Sequence, residues 1–446
     1  MKEYYIHNAK ICFEDRIEKS GLWIKDGLIH EIGENLNVPE TVYKIDAKGD
    51  YLLPGLIDVH THLDDTIGEY YLADTYKSGS RIALQNGITT LYSFITQSPN
   101  KTLSDCINEA RVKAENNSFT HIGWHLTPTE KDEESIAELI NLVKSGYRTL
   151  KLYSTYKESG IFSSYDQISL LAEKLSDYDV TILVHCEDEE VLNSVNPSEL
   201  DSSSEYSHAV SRPVKAEVRA VEQIIQIAQS SGARFHIVHV SSNEALELIN
   251  EAKMEVHITS ETGPQYLLLN EDYLKAEDGY QYLCSPPLRS ERVRLAMYES
   301  FINGKVDLLA TDHCAFRKED KSNNNSNHYA VPKGLAGLGA LVPLAYEILK
   351  YKGEVTFLGM NKLLSANPAK LVGKYPQKGS IRIGSDADLV LLKDGNKRLI
   401  KSSLSDSFNP YERMETSLNV THVFLGGDLV VSENEIIESE PKGKLL

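Results

Sequence analysis

Apolar and polar positions alternate at both ends of the chain and gather into short apolar blocks through its middle. Near the N-terminus, GLWIKDGLIHEIG alternates about Asp26-Gly27. Near the C-terminus, THVFLGGDLVVSENEII does so about Gly426-Gly427. Two-residue turns of this type between alternating runs predict β-hairpins, and DADLVLLK at 386–393 predicts a further strand. These segments predict one small β-sandwich domain assembled from both ends, residues 1–50 with 375–446.

Between them, eight apolar blocks read as buried strands: GLIDV (55–59), ITTLYSFI (88–95), HIGWHL (121–126), RTLKLY (148–153), VTILVH (180–185), RFHIVHV (234–240), EVHITS (255–260) and VDLLAT (306–311). Helical periodicity separates most of them. Ile136, Leu139, Ile140 and Val143 share one face, as do Val218, Val221, Ile225 and Ala228. Strands alternating with helices predict an α/β fold, a (β/α)8 TIM-like barrel over residues 51–374. Residues 197–208 and 317–330 are polar and aperiodic and predict loops.

At 446 residues the chain suits one large domain plus a smaller one. With 41% apolar and 25% charged residues it has the profile of a soluble globular protein. The net charge of -19 and the lack of a dense Lys/Arg run argue against nucleic acid. No apolar stretch is long enough for a membrane span, and the N-terminal segment lacks the apolar core of a signal peptide. Five scattered cysteines form neither a disulfide framework nor a Cys-x-x-Cys zinc motif. A cytoplasmic protein with free thiols is the expectation.

Active sites of such barrels lie at the C-terminal ends of the strands, and five of the eight blocks carry metal-capable residues there. The first ends in Asp58-Val59-His60-Thr61-His62, the fourth carries Lys151, the fifth ends at His185, the sixth holds His239, and Asp312 follows the eighth. His60 and His62, two apart on a strand, point to one face. A lone His at a strand end is more often structural, but a His-x-His pair joined by His and Asp from other strands predicts a metal site. Imidazole and carboxylate donors suit zinc and similar divalent ions. Lys151 lies in an apolar strand, where burial favours the neutral amine. That amine can take up CO2 to give a carbamate, an anion with two oxygens able to bridge two cations. His125, His236 and His313 are expected to be structural, with His236 facing away from His239 if the strand stays regular.

PGLIDVHTHLD, LKLYSTYK, LVHCED, HIVHVSS, ETGPQYLLL, LCSPPLR and ATDHCAF occur in the order seen in the cyclic amidohydrolases. The chain most resembles hydantoinases and dihydropyrimidinases, and the resemblance extends through NPAKLVGKYPQKGSIRIGSDADLVLL. It implies two divalent metal ions, with zinc the expected species. His60, His62 and Asp312 would hold the buried ion and His185 and His239 the more exposed one, with Lys151 bridging as its carbamate. It implies that a metal-bridging hydroxide attacks the cyclic amide, that Asp312 carries the proton, and that Tyr156 steadies the oxyanion. Ser285 and the VPKGLAGLG segment, which includes Lys333, would contact substrate. A homotetramer or dimer is also implied.

The chain departs from the hydantoinase pattern at Lys333 and Gly339, where those enzymes usually carry Asn and Glu. GLAGLG also resembles allantoinases. Similar dihydroorotases place an Arg two residues after the second His, where Asp64 stands here, so that reading is demoted. A non-catalytic dihydropyrimidinase-like scaffold would have lost metal ligands, and all six positions are filled. The expected function is opening of a neutral five- or six-membered cyclic ureide or imide, with allantoinase or dihydroorotase as alternatives.

Overall fold

The computed structural model describes residues 2–323, 327–353 and 355–446. Its centre is an eight-stranded parallel sheet in strict chain order: Leu56–Thr61, Ile88–Thr96, His121–Thr127, Thr149–Tyr153, Thr181–His185, Arg234–Ile237, Ile258–Thr262 and Leu308–Leu309. The ring is carried from the eighth strand back to the first by His62 N donating to His313 O (2.7 Å) and His313 N to His60 O (3.3 Å). Buried on both faces, these strands read as near-continuous apolar runs rather than alternating ones. In the first strand, from Leu56 to Thr61, every residue is buried. Helices between the strands begin at side-chain caps. Thr75, Thr102 and Ser164 each accept a bond from the backbone three residues on, with the return bond made.

Four local expectations shift. The sixth strand stops at Ile237 instead of reaching Val240, because His239 takes a left-handed backbone (φ 39°). The seventh runs from Ile258 to Thr262, so Glu261 lies inside a strand. In the helix Val214–Ser231, the buried face runs through Ala220, Val221, Ile224 and Ala228, and Val218 and Ile225 lie at its margin. Short helices, Tyr206–Ser211 and Lys318–Ser322, interrupt the two expected loops. Residues 324–326 of the second loop lie outside the described residues.

The two chain ends build one nine-stranded, mainly antiparallel sheet separate from the barrel. Strand Tyr51–Pro54 bridges them, pairing in parallel with Tyr4–Cys12 and antiparallel with Leu389–Leu399. Both predicted hairpins form. Asp26 and Gly27 (φ 52° and 80°) and Gly426 and Gly427 (φ 54° and 85°) supply the two left-handed residues of each turn. This sheet has its own core of Ile6, Ile11, Leu22, Ile24, Leu389 and Phe424. Asp388 joins it to the barrel: its carboxylate meets Lys378, His121 Nε2 (3.3 Å) and the Gly426 amide (2.7 Å). The final residues pair with the third barrel strand at Ile122, and a Cβ on Gly443 would fall 1.8 Å from Thr120 O. Among the described residues, no helix is long and apolar enough to cross a membrane.

Candidate metal and substrate site

At the C-terminal mouth of the barrel the predicted residues converge. His60 Nε2 lies 3.1 Å, and His62 Nε2 3.6 Å, from Asp312 Oδ1. Ligand-capable atoms of His60, His239 and Asp312 lie within 4.8 Å of one another. The His239 ring sits 5.4 Å from that of His60 and 4.5 Å from that of His185. Lys151 rises from the neighbouring strand, its Nζ 5.2 Å from the centre of the Phe94 ring. The ring of Tyr156 lies 5.1 Å from that of His185. Tyr156, His239 and Asp312 all adopt positive φ (68°, 39° and 50°). Such backbone costs about 1–3 kcal/mol per residue and persists only where the surroundings enforce it.

Electrostatics make this a place for cations. Burial alone would raise the Asp312 carboxyl, but His60, His62 and His239 outweigh it and hold Asp312 well below the usual range. Burial lowers His62, His185 and His239, so these rings favour the neutral form that binds metal. Burial would lower His60 too, yet the Glu261 and Asp312 carboxylates pull it up to about 8. Burial pushes the Lys151 ammonium down to about 8 despite the same two carboxylates. Among the described residues, Lys151 Nζ and His239 Nδ1 are buried with no hydrogen-bond partner. Orphaned donors of this kind are costly, and with four imidazoles and a carboxylate the set fits divalent cations.

Sequence reasoning missed the groups that aim these side chains. Glu261 bonds His60 Nδ1 through one oxygen and His236 Nε2 through the other (3.1 Å). Glu187 accepts from His185 Nε2 (2.7 Å) and from Arg212, leaving His185 Nδ1 for the site. Carboxylates of this kind fix the orientation of metal-binding imidazoles. Asp58 holds the approach to Asp312, accepting from Thr311 N (3.2 Å) and Thr311 Oγ1 (2.6 Å). The signals were present in LVHCED, ETGPQYLLL and LIDVHTH, but nothing local tied each carboxylate to its distant imidazole.

The remaining candidates separate. His125 has both ring nitrogens engaged, by Thr149 Oγ1 and Val59 O at 2.7 Å each, and burial pushes it down to about 3. His313 Nδ1 accepts from Gly337 N (3.0 Å) and Leu338 N (3.3 Å). Both rings are thus tied to neighbouring strands and loops. His236 does not face away from the site: it lies in the regular strand and reaches Glu261 through Nε2 (3.1 Å), while the left-handed backbone at His239 brings that ring to the same mouth. Asp64 accepts from Tyr71 OH (2.7 Å) and Tyr76 N (2.5 Å), which engages both its oxygens. Ser285 Oγ lies 3.1 Å from His208 Nε2. Lys333 stands apart from the imidazole cluster, its Nζ donating to His328 O (2.7 Å) and Tyr329 O (2.8 Å). A Cβ on Gly339 would fall 2.2 Å from Lys401 O, so a side chain is excluded there.

Residues 51–430 match the model of the amidohydrolase family. A D-hydantoinase of Geobacillus stearothermophilus is 30% identical over 445 residues, spanning 97% of this chain and 93% of its own. The crystal structure of a dihydropyrimidinase from Brevibacillus agri superposes with a TM-score of 0.93 at 27% identity, covering 100% of this chain and 98% of that one. An L-hydantoinase (dihydropyrimidinase) from Arthrobacter aurescens gives 0.90 at 25% identity, covering 100% and 99%. With its strand-end imidazoles, the carboxylates behind them and these matches along its whole length, the chain belongs to the amidohydrolase family.

Proposed function

We propose that this protein hydrolyses the cyclic amide bond of a hydantoin or dihydropyrimidine ring. The observation that carries the reading is the convergence of His60, His62, His185, His239 and Asp312 around the unpartnered Lys151 amine. His60, His62 and Asp312 would hold one divalent ion and His185 and His239 a second, with zinc the ion these donors suit. Addition of CO2 to the neutral Lys151 amine, with loss of a proton, would give a carbamate, so that Lys151 would join these side chains as an anionic ligand. When bound, the ions supply Lewis acidity at the ring carbonyl and lower the pKa of water toward neutrality.

The protein's own groups perform the rest. Asp312, held ionised, accepts a proton from the attacking water and delivers it to the leaving ring nitrogen. The Tyr156 phenol is kept protonated, since burial pushes it up to about 12. It therefore donates to the oxygen that gains charge as the tetrahedral centre forms. Ser285 and Lys333 would contact the substrate. The protein acts as a homo-oligomer, tetramer or dimer. The buried thiols of Cys106, Cys186, Cys284 and Cys314 support a reducing, cytoplasmic setting.

Asp64 supplies no cation for a ring carboxylate, which keeps dihydroorotase the weaker alternative, beside allantoinase. The test is ring opening by zinc-loaded protein across hydantoin, 5-substituted hydantoins, dihydrouracil, allantoin and dihydroorotate. Opening of hydantoins or dihydrouracil is expected. Turnover of allantoin or dihydroorotate alone would move the assignment to that alternative, and no opening of any ring would end the hydrolase reading.

A further inference from the structure

Tyr156 has little local support. Its backbone is left-handed (φ 68°), and the residues that follow, Lys157 to Gly160, are all exposed. The residues before it are better held. Ser154 Oγ lies 3.0 Å from both His185 O and Glu187 O, and Thr155 Oγ1 donates to Glu189 Oε2 (2.7 Å). These bonds fix the end of the fourth barrel strand against the segment that carries His185. The phenol ring itself has to be held by groups from elsewhere in the fold.

Arg212 reaches it. This residue stands at the break between helices Tyr206–Ser211 and Val214–Ser231, where Pro213 disfavours helical backbone at the residue before it (ψ 67°). The guanidinium carbon lies over the Tyr156 ring, 5.0 Å from its centre, while Nη1 of the same plane donates to Glu187. Glu187 in turn accepts from His185 Nε2 (2.7 Å). The Arg212 backbone is braced as well. Arg289 donates through Nη1 to Arg212 O and through Nε to Ser241 Oγ (2.9 Å), two residues beyond His239. One planar cation thus spans the phenol and the carboxylate that aims an imidazole, and a second ties it to the loop after the sixth strand. Glu187 matches the Arg212 charge, so the part left to Arg212 is geometric. A guanidinium offers a flat face and an edge of donors together, whereas a lysine ammonium is a single point.

We propose that Arg212 is a positioning residue for ring opening, holding the Tyr156 phenol in the place from which it meets the developing oxyanion. This rests on the cyclic-amide reading above and adds to it a residue from outside the barrel strands.

The test uses zinc-loaded protein and the hydantoin or dihydropyrimidine that it opens fastest in the panel above. Arg212→Lys keeps a charge opposite Glu187 and gives up the flat face. Its kcat should fall at least about tenfold, since a displacement of about 1 Å can cost about a hundredfold. KM should stay within about twofold, as for an interaction made only in the transition state. Zinc affinity, read by chelator competition, should also hold, which separates a shifted phenol from a damaged metal site. In a Tyr156→Phe background the same substitution should cost less than about twofold, because two residues acting as one unit are not additive. Arg212→Gln carries the same comparison if the lysine variant does not fold. Wild-type kcat in the variant, an equal loss in both backgrounds, or a fall that tracks lost zinc would overturn the assignment and leave the hydrolase reading intact. A wild-type protein that opens no ring of the panel would remove both.

Discussion

At Glu261 a single carboxylate touches two imidazoles, one of them His60, and so governs how that ring meets a metal ion. Loss of such a supporting carboxylate typically costs 10–100-fold in metal affinity or activity. Glu261→Gln should therefore weaken zinc binding by about 10–100-fold, measured by competition with a chromophoric chelator. Wild-type affinity in that variant would show that Glu261 does not position His60. The residue also marks the limit of what local pattern reveals. His60 and His62 are legible because two-residue spacing puts both on one face of a strand. Glu261 is not, because a carboxylate near a strand end reads as the end of the strand. Its partner lies 201 residues away, and only barrel closure brings the two together. Lys151 was legible as an anomaly, a charge in an apolar run. Its lack of a partner became visible only in three dimensions.

At the scale of elements, the joint between the end sheet and the barrel hangs on Asp388. Burial would raise this carboxyl, but His121 and Lys378 outweigh it and hold it well below the usual carboxylate range. An unfolded Asp titrates near 3.9. The stabilisation is therefore complete above about pH 4 and is lost as the pH falls from there toward the folded-state value. Breaking a buried pair by removing one partner costs about 3–5 kcal/mol. Asp388→Asn should fall at the lower end at neutral pH, because Lys378 keeps Asp386 at 2.9 Å. Urea unfolding would measure it, and the gap to wild type should narrow below about pH 4. A gap unchanged across that range would assign the loss to packing instead of charge. Strand blocks and both hairpins were legible here, since alternation and turn chemistry are local. The early stop of the sixth strand was not, because RFHIVHV holds no Gly, Pro, Asn or Asp to mark a turn and the left-handed backbone falls on His239 itself.

For the whole molecule, the proposed metal centre would join residues from five barrel strands and the loops after them and tie separate parts of the ring together. An ion that binds the folded protein alone stabilises it in proportion to the logarithm of its excess, about 4 kcal/mol at a thousandfold over Kd. Removing zinc with a chelator should lower Tm accordingly, and restoring zinc should raise it again. Identical melting of loaded and stripped protein would mean that the cluster binds no ion tightly.

Strand Tyr51–Pro54 sits between partners from opposite ends of the sequence, and its neighbour Leu389–Leu399 is made more than three hundred residues later. A ribosome adding about 5–20 residues per second needs on the order of tens of seconds to cover that distance. Throughout that interval the early strands present an open edge, and the first barrel strand waits for the segment around His313 to close its ring. The nascent chain is thus a long-lived client with unpaired β edges. Its period of greatest exposure to mispairing and aggregation is set by the clock of translation rather than by the stability of the finished fold.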